Sequence, residues 1–224
     1  MQNHAAFDLI VFDWDGTLMD SAGAIVVAIQ KACRDLDLPP PEDAAVRQVI
    51  GLELGQALRQ AVPAMPAEQM RQVAERYRFH YLASDCELRL FATVRPMLEA
   101  LTQAGKKLAV ATGKSRVGLA RAMRHSDTGR FFLTERTADE CPSKPNPQML
   151  LEIMDELQTP PERTLMVGDT THDLALARNA GVAALGVAFG AHPKATLQRA
   201  PHLAVLDTPQ ALQDWFFAER ASAA

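Results

Sequence analysis

A short apolar run, Leu9 to Phe12, stands near the start of the chain, and the sequence turns polar at once with Asp13, Asp15 and Gly16. A run of this length bounded by an Asp-Gly turn signal reads as a buried strand. Comparable runs occur at residues 108–111, 164–167, 184–188 and 203–206, each with turn residues nearby. Between them the apolar positions change to helical spacing, over residues 96–104, 115–125, 147–158 and 172–180. Pro96 and Pro147 open two of these stretches, and Gly105 and Gly181 close two. Strands alternating with helices predict an α/β fold: a Rossmann-like core with a mostly parallel sheet and helices on both faces. Ligands of such sheets bind beyond the carboxyl ends of the strands. Asp13, Thr112 and Asp169 each follow a predicted strand directly, so three distant segments are expected to converge on one crevice.

Residues 20–92 break the alternation. Amphipathic stretches at 21–36, 42–50, 54–62 and 67–82 are separated by prolines at 39–41, 63 and 66, with no strand pattern among them. An all-helical insert between the first strand and the others predicts two units. These are a catalytic core of residues 1–19 and 93–224, and a cap domain of residues 20–92 packed as a four-helix unit above the carboxyl edge. The joints near 19–22 and 89–94 would serve as hinges if the cap moves.

Composition narrows the function. At 224 residues and 48% apolar content, the chain is long enough for one or two domains and too apolar to be largely disordered. A formal net charge of −4 argues against a general nucleic-acid binder. Cys33, Cys86 and Cys141 are odd in number and form no CxxC pair, which suggests neither a disulfide framework nor a zinc site and fits a reducing compartment. The opening MQNHAAFD has no signal-peptide pattern, and no apolar run approaches the ~20 residues that span a bilayer. The expectation is a cytoplasmic protein without nucleic-acid or membrane partners, whose last residues, AERASAA, fray. Oligomeric state leaves no mark in the sequence.

The chemistry concentrates in four segments. Asp13 and Asp15 lie two residues apart, so on a strand both side chains leave the same face, separated by roughly 6.5 Å of rise. Like charges that close call for a cation between them or a retained proton. Further along come Thr112 in VATGKS, Lys144 in SKPNP, and GDTTHD from Gly168 to Asp173. With DxDGT, a strand-ending Thr, a lysine before a helix and GDxxxD in this order, the chain resembles the haloacid dehalogenase superfamily of phosphatases over nearly its whole length. SKPNPQML and GDTTHD look most like phosphoglycolate phosphatases and their relatives, and the helical insert is similar to the family's C1-type cap.

The resemblance implies a Mg2+-dependent phosphatase that hydrolyses a small phosphomonoester, phosphoglycolate-like, through an aspartyl-phosphate. Phosphoryl transfer asks for an in-line nucleophile, charge neutralisation and a proton for the leaving oxygen. Asp13 is the candidate nucleophile and Asp15 the acid and base of the two half-reactions. An all-oxygen ligand set suits Mg2+. The resemblance assigns it the Asp13 carboxylate, the Asp15 main-chain carbonyl and the Asp169 carboxylate. Thr112 and the Gly113 amide would bind the phosphoryl group, and Lys144 would offset its charge and orient Asp13. The helix from Ser115 would add N–H groups. Asp173 would support the metal ligands from behind, or cap the helix that Thr170 begins.

Several residues are expected to be structural. Lys114 would point to solvent, His172 would be exposed and Trp14 would pack in the core. Arg47 and Arg59 would meet a substrate carboxylate or lie on solvated faces, and residues 49–55, VIGLELG, would form a substrate-facing loop. Two other functions fit the same residues: a phosphomutase acting on a small sugar phosphate, and a non-catalytic phosphate-binding module. An acid beside a nucleophile speaks against the second.

Overall fold

The computed structural model describes residues 7–84 and 87–217, so Cys86 and the expected fraying of AERASAA lie outside the described residues. Six strands, β1 (Leu9–Phe12), β2 (Lys107–Thr112), β3 (Thr134–Thr137), β4 (Thr164–Gly168), β5 (Ala183–Val187) and β6 (Ala204–Leu206), form one sheet in the order β3-β2-β1-β4-β5-β6. Every pairing is parallel. All four residues of β1 are buried, and Phe12 lies in register with Val110 on one side and Val167 on the other. The chain order reverses at β1, so β1 and β4 flank the crevice where a doubly wound sheet binds its ligands.

After β1 the chain leaves the sheet for four helices, α1 (Ala22–Arg34), α2 (Asp43–Arg47), α3 (Leu54–Ala61) and α4 (Met70–Ser84). On α1, Ala22, Ile25, Val26, Ile29, Ala32 and Cys33 are buried, a stripe at helical spacing. It packs with Val46, Leu58 and Val73 in an apolar cluster distinct from those on the sheet. The segments that enter and leave this insert hydrogen-bond to each other: Asp20 N donates to Arg89 O at 3.0 Å and Phe91 N to Leu18 O at 3.1 Å.

The remaining helices are α5 (Val94–Gln103), α6 (Arg116–Ser126), α7 (Gln148–Glu156), α8 (Thr171–Asn179), α9 (Lys194–Leu197) and α10 (Pro209–Phe217). Strand alternation sorts them onto two faces. Ile10 and Phe12 pack with Leu108, Val110, Leu165 and Val167 beneath α5, α6 and α10. Leu9 and Val11 pack with Ala109, Ala111 and Met166 beneath α7 and α8. Burying each large aliphatic or aromatic side chain in these layers contributes about 1.5–3 kcal/mol, which fixes the strand ends that carry the chemistry.

Three elements depart from the sequence expectation. β3 reads TERT, with no apolar run, because it is an edge strand paired only with β2. Ion pairs join it to α7, with Arg136 at 2.7 Å from Glu152 and 2.8 Å from Glu156. The helices α9, between β5 and β6, and α10, after β6, have no counterpart in the spacing pattern of the sequence. No helix among the described residues is long and apolar enough to cross a membrane.

Candidate active site

Asp13 leaves the end of β1 still tied to the sheet, its N–H donating to Val167 O at 2.9 Å. The chain then turns sharply, with Leu18 N and Met19 N both donating to Trp14 O at 3.0 Å. Gly16 takes φ +83° in this turn, and a Cβ there would lie 2.2 Å from Asp169 Oδ2. Only glycine permits both the backbone and the contact. Asp169, directly after β4, is held by Thr17 Oγ1 donating to Oδ1 at 2.8 Å and Ala191 N donating to Oδ2 at 2.7 Å. The GT of DWDGT thus positions the aspartate of GDTTHD.

Lys144, in the loop before α7, sends a fully buried ammonium into this cluster. It donates to Asp13 Oδ1 at 2.7 Å and to Asp173 Oδ1 at 2.6 Å. The other oxygen of Asp173 accepts from Thr170 N at 3.0 Å and Thr170 Oγ1 at 2.7 Å, completing a capping box at the start of α8. Asp173 therefore caps the helix with one oxygen and orients the lysine with the other.

Asp13, Asp169 and Asp173 offer carboxylate oxygens that all lie within 4.8 Å of one another. Burial pushes the Asp13 carboxyl up to about 7 against the pull of Lys144. Asp169 is raised well above the usual carboxylate range, by burial and then by the charge of Asp13. Burial opposes the charge of Lys144, but Asp13 and Asp173 more than offset this and hold the ammonium above its ordinary value. Asp13 Oδ2 is buried and has no hydrogen-bond partner among the described residues.

Asp15 is neutralised separately. Ser21 Oγ donates to its Oδ1 at 2.6 Å, and Lys114 Nζ lies 3.0 Å from each oxygen. This corrects the expectation that Lys114 points to solvent. Its ammonium is drawn inward by Asp15 and meets the insert, donating to Tyr81 Oη at 3.1 Å and lying 4.7 Å from the Tyr81 ring centre. Burial works against its charge, and Asp15 and the tyrosines outweigh burial and raise it. The two carboxylates of DWD each have their own lysine.

Thr112 is buried at the end of β2, and its Oγ1 accepts from Lys114 N at 3.2 Å. At Gly113 a Cβ would stand 2.5 Å from the carbonyl oxygens of Gly51 and Leu52, so the insert backbone rests on the core at this residue. The start of α6 differs from expectation. Arg116 N donates to the Asp139 carboxylate at 3.0 and 3.1 Å, and Gly118 N to Ser115 Oγ at 3.2 Å, so these N–H groups are already engaged.

His172 is half-buried rather than exposed, because Gln48 of the insert covers it. Its Nε2 lies 2.9 Å from Gln48 O, and Nε2 of His192, which the sequence did not single out, lies 3.3 Å from the same oxygen. Burial, then the neighbouring His172, lower the His192 imidazole. Trp14 is buried, edge-on to Phe132 with ring centres 6.3 Å apart. Arg59 is exposed and Arg47 half-buried. A cavity of about 850 Å³ opens between the strand ends and the insert. Asp13, Asp15, Thr112 and Lys114 line it from the core and residues 49–54 from the insert, but neither Arg47 nor Arg59 reaches it.

Comparison with known proteins shows what the whole chain is similar to. A family model described as haloacid dehalogenase-like hydrolase matches residues 10–187. The chain is 36% identical over 206 residues to the probable phosphatase IndB of Dickeya dadantii, covering 89% of each protein. It is 34% identical over 191 residues to a phosphoglycolate phosphatase of Vibrio vulnificus, covering 81% of this chain and 84% of that one. Among solved structures, a predicted phosphoglycolate phosphatase from Haemophilus somnus superposes with a TM-score of 0.81 at 26% identity, over 91% of this chain and 95% of its own. A hydrolase from Pseudomonas syringae shares the fold with a TM-score of 0.84 at 23% identity, over 93% of this chain and 96% of its own.

Proposed function

The chain belongs to the haloacid dehalogenase-like hydrolase family, and on that footing we propose that it is a Mg2+-dependent phosphatase working through an aspartyl-phosphate on Asp13. The observation that carries the reading is the buried Asp13 carboxylate, with Lys144 on one oxygen and, among the described residues, no donor on the other. The donor set fits a hard divalent cation: three carboxylates converge within 4.8 Å, and Lys144 pairs with only two of them, Asp13 and Asp173. Asp13, Asp169 and the Asp15 main-chain carbonyl would hold Mg2+, which when bound offsets negative charge on the phosphoryl oxygens.

Asp13 attacks phosphorus; its carboxylate oxygen forms the new P–O bond as the bond to the alcohol oxygen breaks. Asp15 delivers a proton to that departing oxygen and then takes one from the water that attacks the aspartyl-phosphate. Water oxygen bonds to phosphorus, inorganic phosphate leaves, and the Asp13 carboxylate is regenerated. Thr112 and the Gly113 amide hold the phosphoryl oxygens. Lys144 fixes Asp13 and neutralises charge at the reacting centre. Lys114 and Ser21 fix the Asp15 carboxylate.

Residues 20–92 act as a cap over a core of residues 1–19 and 93–224, a division supported by the insert's own apolar cluster and its paired joints. A small phosphorylated metabolite is the substrate class, and phosphoglycolate is the ester that the names of relatives bring forward. The test is phosphate release from p-nitrophenyl phosphate, phosphoglycolate, sugar phosphates and nucleoside monophosphates, with Mg2+ or EDTA. Metal-dependent release that vanishes in Asp13→Asn supports the reading. More than a trace of activity in Asp13→Asn overturns covalent catalysis at this residue.

A further inference from the structure

We propose that the ester this site is shaped for carries a bulky apolar alcohol portion rather than a two-carbon acid, a proposal that rests on the phosphatase reading above. The cavity beside Asp13 measures about 850 Å³. That is in the upper part of the roughly 300–1,000 Å³ range of pockets that enclose drug-sized ligands. A water molecule takes about 30 Å³ of liquid, so a phosphoryl group with two further carbons leaves most of this space wet.

An insert swung away from the core would make the volume meaningless, but the insert is seated. His172 and His192 meet Gln48 O on one side, at 2.9 and 3.3 Å. Glu53 N donates to Ser143 Oγ at 3.0 Å, and the carbonyls of Gly51 and Leu52 rest against Gly113. Through α4, Tyr81 Oη accepts from Lys114 at 3.1 Å. The space therefore belongs to the closed arrangement.

The walls decide the chemistry. Ile25 and Ile29 of α1, Ile50, Leu54, Ala57 of α3 and Val117 of α6 all face the cavity. Val117 is 77% exposed and stands at the open rim of the cavity. Phosphoglycolate sets a carboxylate beside its phosphate and brings no apolar surface to this wall, whereas an alkyl or ring-bearing alcohol does. Arg78, Arg121 and Arg124 also line the space and would favour an acid; the phosphoglycolate arm of the experiment weighs them directly.

Ethyl, butyl, hexyl and 2-phenylethyl phosphates are primary alkyl esters with leaving groups of similar basicity, so their rates separate binding from chemistry. With the full chain and Mg2+, kcat/KM for phosphate release should rise about threefold to fourfold for each added methylene that is buried, and phosphoglycolate should fall below butyl phosphate. A flat or falling series, or phosphoglycolate ahead of every alkyl ester, overturns the proposal. The matching alkylphosphonates, titrated calorimetrically, report the same slope without turnover. A preserved slope without phosphate release from any ester supports the cavity assignment and overturns only the phosphatase reading; a flat slope overturns the cavity assignment. Val117→Asp, on the exposed first turn of α6, should flatten both slopes, and unchanged slopes in that variant overturn the assigned wall.

Discussion

Replacing Lys144 with Met removes one charge from the most crowded point of the structure while keeping most of the aliphatic stem. In the native protein its ammonium stands 2.7 Å from Asp13 and 2.6 Å from Asp173, with all three side chains buried. The variant leaves Asp13, Asp169 and Asp173 within 4.8 Å of one another and no ammonium among them. Two unit charges at that distance repel by about 3.5 kcal/mol at an effective dielectric of ~20. Breaking a buried ion pair from one side costs about 3–5 kcal/mol. The two figures agree, so with metal chelated at pH 8 the variant should lose about 3–4 kcal/mol, or about 10 °C in Tm for a chain of this size.

The pH dependence gives the test its edge. Burial raises the Asp13 carboxyl from 3.8 to about 7, and Asp169 is raised too. A raised carboxyl binds its proton more tightly in the folded state, so stability is highest below the unfolded value and falls as pH climbs through the folded one. Lys144 is the group that pulls Asp13 down. Without it the window extends upward and the fall deepens, so the deficit of Lys144→Met must be larger at pH 8 than at pH 5. Urea unfolding of both proteins in EDTA at the two pH values measures this. A deficit below about 1 kcal/mol at pH 8, or one no larger than at pH 5, would refute the claim that Lys144 holds charge apart in the site.

Two further substitutions probe neighbouring parts of the site. Lys114→Met removes the bonds to Asp15 and Tyr81, worth about 1.5–3 kcal/mol each where a charge is involved, and should lower kcat for phosphate release at least about tenfold. Tyr81→Phe, which deletes only the hydroxyl, should lose far less; equal losses in the two variants would place the effect at the insert rather than at Asp15. Gly16→Ala forces a side chain onto Asp169 Oδ2 at a backbone φ of +83°, and should cost more than about 1 kcal/mol. It should also weaken Mg2+ binding measured by calorimetry, and native affinity would show that Gly16 does not set the position of Asp169.

The fold is legible where burial is two-sided. β1, β2, β4 and β5 are covered on both faces, so each must be apolar almost throughout, and the sequence shows it. β3 is buried less and paired once, and Arg136 binds it to α7 through carboxylates, a pattern that looks like loop until the partner helix is in place. Helix α6 begins where the spacing predicts, yet its first N–H groups serve Asp139 and Ser115. Which acceptor a helix start finds depends on a residue 23 positions away.

The two lysines of the site show the same limit in its chemical form. Lys144 and Lys114 both stand in short polar segments after strands, and only motif order separates them in the sequence. In space they are counterparts: one pairs with Asp13, the other with Asp15. The contacts of Lys114 span 99 residues to Asp15 and 33 to Tyr81, so its burial depends on α4 of the insert lying over the strand ends. Four carboxylates, Asp13, Asp15, Asp169 and Asp173, then face two ammonium groups, and the two negative charges left over equal the charge of one divalent ion. The carboxyls pushed up by burial are Asp13 and Asp169, the two proposed to hold that ion through their side chains. Burial favours a proton on these two groups and a bound cation would favour their ionised forms, so metal binding and proton release are linked at this site.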